Sequence, residues 1–182
     1  MNAIDRRRFL RLFGMGTATV LSPFAFQNIF SQPDEKTPNL VLIMADDLGY
    51  GHLGCYGQDK IRTPNIDSLA AEGIKFTEAY AGCTVCAPSR STLMTGLHVG
   101  HTPVRGNSGG IPLRDKDITL AEVLKEAGYT NGCFGKWGLG EAGTSGVPTK
   151  QGFDEFVGYL HQIHPHFYYP DYLWKNERKW PL

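Results

Sequence analysis

Apolar and polar residues follow one another along the chain in patterns that alternate between strands and helices. A continuous apolar run occupies residues 39–45, and a run that is apolar on both faces is typical of a strand buried within a parallel sheet. Residues 63–73 have the pattern of a capped amphipathic helix, whose Ile66, Leu69 and Ala70 are expected to pack on that sheet. Residues 74–80 then predict a second strand.

The same alternation continues in the second half of the chain. Residues 119–127 predict a helix with Leu120, Val123 and Leu124 on one face, and residues 129–134 predict the strand that follows it. Strands that alternate with helices are typical of βαβ units. The chain is therefore predicted to have an α/β fold with a mostly parallel central sheet flanked by helices.

Residues 1–33 have the composition of an export signal and a short linker. A cluster of arginines precedes a weakly apolar stretch at residues 12–21, which is too short to span a bilayer, so no stable membrane span is expected. Two adjacent Arg followed by x-Phe-Leu-Arg resemble a twin-arginine signal. That resemblance implies the Tat export machinery as a partner and a bacterial periplasmic or secreted protein. The alternative is a basic amphipathic helix at a membrane surface.

Charge and cysteine content exclude several classes of protein. Residues 1–26 hold four Arg and one Asp, so the rest of the chain has 14 basic and 17 acidic residues, a net charge of −3. Without a basic stripe, no nucleic-acid partner is expected. The four cysteines do not form the two close pairs of a zinc site. Cys83 and Cys86 leave a thiol–disulfide protein as an alternative.

A short helix is predicted at residues 88–95, with Cys86 just ahead of its N-terminus. Pro88 suits a first helical turn, and free backbone N–H groups at that end favour a side chain that develops negative charge. Arg90 lies four residues further on, where its guanidinium suits an oxyanion. The alternatives are a buried small Cys and a solvated Arg.

Other charged residues follow the predicted strands. Asp46 and Asp47 come directly after the first strand, where a hard divalent cation would relieve their mutual repulsion, although an Asp-rich turn in water is the alternative. Lys136, flanked by glycine, could meet an anion as a point charge or lie at the surface. His98 and His101 lack carboxylate or cysteine partners at metal spacing, so packing of their loop is favoured over metal binding.

Cys86-x-Pro-Ser-Arg90, followed by Thr-Gly, resembles the signature of the formylglycine-dependent, arylsulfatase-like sulfatases of the alkaline phosphatase superfamily. The resemblance implies that Cys86 is converted to formylglycine by a formylglycine-generating enzyme. It also implies that Asp46 and Asp47, with position 86, hold Ca²⁺ or alternatively Mg²⁺. Arg90 and Lys136 would complete the catalytic set, with Lys136 also binding substrate. Gly138 departs from the family pattern, because a His is expected there.

The resemblance covers residues 38–182, which correspond to the N-terminal part of a sulfatase catalytic domain. Later metal ligands of the family are expected beyond Leu182, so this chain by itself could be inactive. The implied activity is hydrolysis of a sulfate ester, either a sulfated carbohydrate or an aryl sulfate. The aromatic and His-rich residues 161–174 suit such a pocket or an ordinary irregular core segment. A phosphonate monoester or phosphodiester hydrolase of the same superfamily is the nearest alternative.

Overall fold

The computed structural model describes residues 37–182. They fall into a short segment, 37–44, and a unit that runs from Ala45 to Leu182. The unit contains three α-helices and a four-stranded sheet. The helices are α1 (Pro64–Glu72), α2 (Cys86–Thr95) and α3 (Leu120–Glu126), and the strands are β1 (Gly132–Lys136), β2 (Glu155–Tyr159), β3 (Tyr172–Lys175) and β4 (Arg178–Pro181).

The sheet is mixed and has the strand order β1-β2-β3-β4. β1 and β2 are parallel, with Cys133 opposite Phe156 and Lys136 opposite Tyr159. β2 pairs with β3, and β3 with β4, in the antiparallel direction. The parallel pair therefore has one carboxyl edge, at Lys136 and Tyr159, where α/β proteins place their ligands.

The core lies between the start of α2 and the parallel strand pair. Phe156, Leu139 and Leu113 are completely buried, and Trp137 is 2% exposed. The Trp137 indole donates a hydrogen bond to the backbone oxygen of Gly146 at 2.7 Å, which satisfies its polar atom within the core. The cluster as a whole comprises Ala87, Val104, Leu113, Trp137, Leu139, Phe156 and Leu160. These residues hold the ends of α2 and β1 in fixed relative positions.

Two predicted strands do not form. Residues 39–45 and 74–80 have no hydrogen-bonded strand partner in the described part of the chain, and their side chains are open to solvent. Val41 is 84% exposed and Phe76 is 65% exposed. An apolar run indicates a tendency to be buried. A strand also needs a neighbouring strand that pairs with its backbone N–H and C=O groups.

The third predicted strand forms but is shifted. It was expected at residues 129–134 and occupies Gly132–Lys136. The shift arises because Asn131 ends the preceding turn: its backbone N–H donates to Asp154, and its side chain donates to Ala121 and Gly152. Lys136 is thus the last residue of the strand rather than a residue beyond it.

The predicted helices form, but their predicted packing faces are covered only in part, at the half-buried Ala70 and Leu124. In α1, Leu69 is 69% exposed and Ile66 is 41% exposed. In α3, Val123 is 52% exposed, whereas Ala121 is buried. A Cβ at Gly152 would lie 2.6 Å from the Ala121 backbone, so the loop at Gly152 approaches α3 on its small-residue side. Size rather than hydrophobicity decides which face of α3 is covered.

No helix within residues 37–182 combines the length and the hydropathy that crossing a membrane requires. The predicted export signal lies outside the described residues.

Candidate active site

Cys86 is the first residue of α2, two positions earlier than the predicted helix start. Val85 provides no side-chain cap. Instead, the Asn107 side-chain oxygen accepts the Ala87 N–H at 2.9 Å, while the Ser89 N–H donates to the Val85 carbonyl. A loop residue from outside the helix therefore satisfies one of the free N–H groups of the first turn. Gly96, with φ of 66°, closes the helix in the left-handed conformation.

The acidic pair lies beside Cys86. The Cys86 thiol donates to Oδ1 of Asp46 over 3.7 Å. Asp47 has a φ of 57°, so the backbone turns sharply between the two carboxylates. One ligand atom from each of Asp46, Asp47 and Cys86 can be chosen so that all three lie within 4.8 Å of one another. The structure brings together the three residues that the sequence had placed at a metal site.

Two cations meet on the same carboxylate. Nζ of Lys136 lies 3.1 Å from Oδ2 of Asp46, and Nη2 of Arg90 lies 3.5 Å from the same oxygen. The Lys136 side chain is 9% exposed and that of Arg90 is 14% exposed, compared with 40% for Asp46. Arg90 also donates to the backbone oxygen of Lys136. This hydrogen bond joins α2 to the end of β1 beside Asp46, where the charges of Arg90 and Lys136 meet.

The pKa of Asp46 lies below its usual value of 3.8. Partial burial by itself raises this pKa, but the hydrogen bond and the charge of Lys136, the charge of Arg90 and the hydrogen bond from Cys86 together outweigh it. Asp46 is therefore ionised at neutral pH, which is the state that a metal ligand requires.

The acidic pair fits a hard divalent cation. Ca²⁺ and Mg²⁺ prefer oxygen ligands, which Asp46 and Asp47 both supply. Sulfur is a soft ligand that suits other metals, so position 86 matches this donor set only when it carries oxygen in place of sulfur. The chemistry of the three residues is therefore consistent with an oxidised side chain at position 86.

Other candidate residues are not brought into this group. His98 accepts the Gly100 N–H through Nδ1 at 3.1 Å, and its ring packs edge-on against His101. Within residues 37–182, the only cluster of three metal-binding side chains is the one at Cys86. Cys83 and Cys86 are both free thiols. Burial raises the pKa of the Cys133 thiol to about 11, despite the opposing charge of Arg90.

Gly138 has a conformation and a neighbour that explain the absence of a side chain. Its φ is 80°, and a Cβ placed there would lie 1.4 Å from Nε2 of Gln162. Gln162 itself is 4% exposed. The space that a side chain at position 138 would need is thus occupied by a residue from the loop after β2. Sequence reasoning missed Gln162 and Asn107, because neither stands in a motif with the residues it meets.

Cys86 lies at a helix start beside the carboxyl end of a parallel strand pair, and two cations converge on the neighbouring Asp46. This arrangement is typical of an α/β enzyme that binds an anionic substrate. The sequence model of the Sulfatase family matches residues 38–179. The chain belongs to the sulfatase family.

Curated relatives share this part of their sequence with the chain. Human arylsulfatase A is 47% identical, over 71% of this chain and 27% of that protein. Mouse steryl-sulfatase is 40% identical, over 69% of this chain and 22% of that protein. The chain therefore spans about a quarter of the length of the curated relatives that it matches.

Solved structures show the same fold. A sulfatase chain from work on glycosaminoglycan metabolism by Bacteroides thetaiotaomicron (BT33336S-sulf) has a TM-score of 0.70 and 35% identity, covering 80% of this chain and 32% of that chain. Ps i-CgsB in complex with k-i-k-neocarrahexaose has a TM-score of 0.70 and 30% identity, and the match covers 81% of this chain and 38% of that chain. These neighbours confirm the predicted α/β, alkaline phosphatase-like fold class and the N-terminal part of the sulfatase catalytic domain.

Proposed function

We propose that the protein hydrolyses sulfate esters at the site formed by Asp46, Asp47, Cys86, Arg90 and Lys136. The observation that carries the proposal is the convergence of a nucleophile position, two carboxylates and two nearly buried cations, with Cys86, Arg90 and Lys136 all meeting Asp46. A sulfate ester is anionic and hindered, so its hydrolysis needs a strong nucleophile and positive groups that stabilise charge in the transition state.

The nucleophile in this proposal is formylglycine, made from Cys86 by a formylglycine-generating enzyme. Its hydrate carries two hydroxyl groups on one carbon. One would attack sulfur and displace the alcohol, which leaves with a proton. The second would then lose its proton as the carbon–oxygen bond to sulfate breaks, which releases sulfate and restores the aldehyde. The position of residue 86 supports this role, because it is the first residue of α2, where the positive end of the helix dipole favours a side chain that develops negative charge. An unmodified Cys carries a single thiol and no hydroxyl, so it would lack this easy release of sulfate.

Asp46 and Asp47, together with the oxygen at position 86, would hold Ca²⁺ or alternatively Mg²⁺. The cation would lower the pKa of the attacking hydroxyl and shield it from the anionic substrate. Asp46 is kept ionised for this purpose by Lys136 and Arg90.

Arg90 and Lys136 would bind and orient the sulfate. Both side chains are almost buried, so their charges act in a medium where water screens them weakly. Arg90 is fixed by its hydrogen bond to the Lys136 backbone, so the two positive groups keep a constant separation. Such preorganised charges stabilise the oxygens of a transferring group without reorganising during the reaction.

The substrate is proposed to be a sulfated carbohydrate or an aryl sulfate. Matches to an arylsulfatase and to a chain solved with neocarrahexaose support these two classes. A phosphonate monoester or phosphodiester would use the same metal and cations. Turnover of an aryl sulfate should therefore be compared with that of an aryl phosphodiester by the full-length protein, and faster turnover of the phosphodiester would overturn the proposal.

The modification is tested by the mass of the peptide that contains position 86. We expect the aldehyde mass in active protein, and Cys86→Ala should abolish turnover. Cys83→Ala is the matched control, because Cys83 is also a half-buried free thiol but has no contact with Asp46. Loss of activity in Cys83→Ala, with an unmodified thiol at position 86, would favour the thiol–disulfide alternative.

We also propose export by the twin-arginine route to the periplasm or the medium, on the basis of the arginine pattern near the N-terminus. This route carries folded proteins, so modification of Cys86 could finish in the cytoplasm. Replacing Arg6 and Arg7 by Lys should retain the protein in the cytoplasmic fraction; unchanged export would contradict the route.

A further inference from the structure

The start of α2 depends on a residue that lies outside the helix. Its N-cap residue offers no side-chain cap, Pro88 has no N–H, and the Ser89 N–H already donates to the N-cap carbonyl at 3.0 Å. The N–H groups of Cys86 and Ala87 are therefore the ones that need a partner from elsewhere. The Ala87 N–H donates to Oδ1 of Asn107 at 2.9 Å. Asn107 thus holds the residue next to the nucleophile position.

The segment that carries Asn107 is attached to the same helix and to the core. The side chain of Thr102, which is completely buried, forms a hydrogen bond with the Ser91 hydroxyl in the middle of α2. Val104 is 4% exposed and belongs to the core cluster that also contains Ala87. This segment therefore contacts α2 both in its middle and at its start, and core packing sets the position of Asn107.

The acceptor that Asn107 provides carries no charge. Asp accepts N–H groups at a helix N-terminus as well as Asn does, and its negative charge adds stability there through the helix dipole. Near position 86 that charge would act against the reaction, because it repels an anionic ester and disfavours a nucleophile that must lose a proton. A neutral amide fixes the turn and leaves the positive end of α2 available to residue 86.

We infer that Asn107 is a positioning residue for the nucleophile: it fixes the first turn of α2 through Ala87, and its neutral acceptor preserves the positive end of the helix dipole at position 86. The inference rests on the proposed function and deepens it. Asn107 acts through Ala87 and needs no contact with the substrate. Its hydrogen bond and its neutrality can therefore be separated by mutation.

Asn107→Asp keeps the size of the side chain and an acceptor for the Ala87 N–H, and it adds a charge. We expect the Tm to stay the same or to rise, since a carboxylate near a helix N-terminus is stabilising. kcat/KM of the full-length protein for 4-nitrophenyl sulfate should nevertheless fall about 10-fold or more, because the added charge opposes the anionic substrate. An unchanged kcat/KM would make Asn107 a helix cap only and overturns the inference. A fall in Tm together with kcat/KM would assign the loss to local unfolding and overturns it as well.

Asn107→Ala removes the acceptor and adds no charge. kcat should fall about 10- to 100-fold, the scale of loss when a reacting group is misplaced. KM should change much less, because Arg90 and Lys136, which would bind the sulfate, keep their ion pairs with Asp46. An unchanged kcat overturns the inference, and so does a loss that appears only in KM.

Asn65→Asp is the matched control. Asn65 lies exposed in the first turn of α1, so the same substitution adds the same charge at the start of another helix. kcat/KM should keep the value of the protein with Asn65. A fall equal to that of Asn107→Asp would assign the effect to net charge and overturn the inference.

Two further measurements separate the role of Asn107 from the modification and from turnover. The mass of the peptide that contains position 86 gives the fraction of formylglycine, and all rates are expressed per formylglycine. Isothermal titration with inorganic sulfate measures anion binding directly. Asn107→Asp should bind sulfate more weakly than the protein with Asn107, and equal affinity overturns the inference.

The inference and the proposed function fail in different ways. Absence of turnover with every sulfate ester by the protein with Asn107 overturns the proposed function. Turnover that Asn107→Asp retains in full overturns the inference alone.

Discussion

Residues 45–85 and residues 86–160 contribute to the same site from different kinds of structure. No residue in 45–85 is buried, and the segment contains α1, two short turns of 3-10 helix and exposed connections. Residues 86–160 contain every member of the buried core cluster of the described chain. The acidic pair comes from the first segment, whereas Cys86, Arg90 and Lys136 come from the second.

The two halves of the site are therefore held by different forces. Lys136 ends a strand that pairs with β2, and the Ala87 N–H next to Cys86 is bonded to Asn107, so backbone hydrogen bonds and core packing fix their positions. Asp46, whose side chain is 40% exposed, is held by ion pairs with Lys136 and Arg90. The comparison shows that charge can position a carboxylate where no core supports it.

The largest effect is expected for Asp46→Asn. The variant removes the charge of a proposed metal ligand, which is also the partner of two cations, so kcat/KM should fall by about 10³-fold or more, the scale on which preorganised charges act. The free energy of unfolding should also fall, by about 1–3 kcal/mol, because the nearly buried Lys136 and Arg90 lose the charge of the carboxylate that they share. Kinetics and chemical denaturation of the same preparations measure both. Asp59→Asn is the control, because Asp59 is an exposed carboxylate of the same segment, and equal effects of the two variants on kcat/KM would contradict the role assigned to Asp46.

The next effect is expected for Phe156→Ala in the buried segment. Phe156 is completely buried on β2, so its truncation should lower the free energy of unfolding by about 3–5 kcal/mol. Phe76→Ala is the matched control, because Phe76 is 65% exposed and should cost less than about 0.5 kcal/mol. Similar losses of unfolding free energy in the two variants would contradict the difference in burial between residues 45–85 and residues 86–160.

A smaller, pH-dependent effect is expected for Asp117→Asn. Asp117 accepts the Arg114 backbone N–H at 2.8 Å and the Arg114 side chain at 2.5 Å. Burial raises the pKa of Asp117, but these bonds and the charges of Arg114 and Lys116 bring it below the usual 3.8. The variant should lose about 1–3 kcal/mol at neutral pH.

The sign of the pH dependence follows from that lowered pKa. The stabilisation by ionised Asp117 is fully present above pH 3.8 and is lost as the pH falls through the lower pKa of the folded state. Denaturation of the protein with Asp117 intact and of Asp117→Asn should be measured at several pH values. The two curves of unfolding free energy against pH should converge in acid. A constant difference down to pH 2 would contradict the assignment.

The smallest effect is expected for Leu69→Ala in α1. Leu69 is 69% exposed, so the free energy of unfolding should change by less than about 0.5 kcal/mol. Thermal melting measures this change, and Ala has a slightly higher helix propensity than Leu. A loss above about 1 kcal/mol would mean that α1 packs against another part of the full-length protein.

Local signals in the sequence predicted the helices well. The helix predicted at residues 119–127 forms as α3. A capping box fixes its start, because the side chains of Thr119 and Glu122 each bond to the other residue's backbone N–H, at 3.3 and 2.7 Å. Gly96 ends α2 as expected. Such signals succeed because the atoms that interact lie within one helical turn.

Predictions of burial from hydrophobic residues were wrong where the segment that would cover those residues is distant in the sequence. The apolar runs at residues 39–45 and 74–80 indicated strands, but hydrophobicity carries no information on which segment supplies the hydrogen bonds. Leu120 and Val123 indicated the covered face of α3, yet the loop at Gly152 covers Ala121 instead. Packing depends on the shapes of two surfaces, and only one of them is local.

The sequence by itself indicated the family and the candidate site: resemblance to the sulfatase signature singled out the acidic pair, Cys86 with Arg90, and Lys136, and the family is confirmed. Tertiary structure alone decided that Asn107 bonds to the start of α2 and that Gln162 occupies the space left by Gly138. The physical reason is distance along the chain. Covalent geometry and local hydrogen bonds link neighbouring residues, whereas contacts across 20 or more positions are set by how the strands and loops pack.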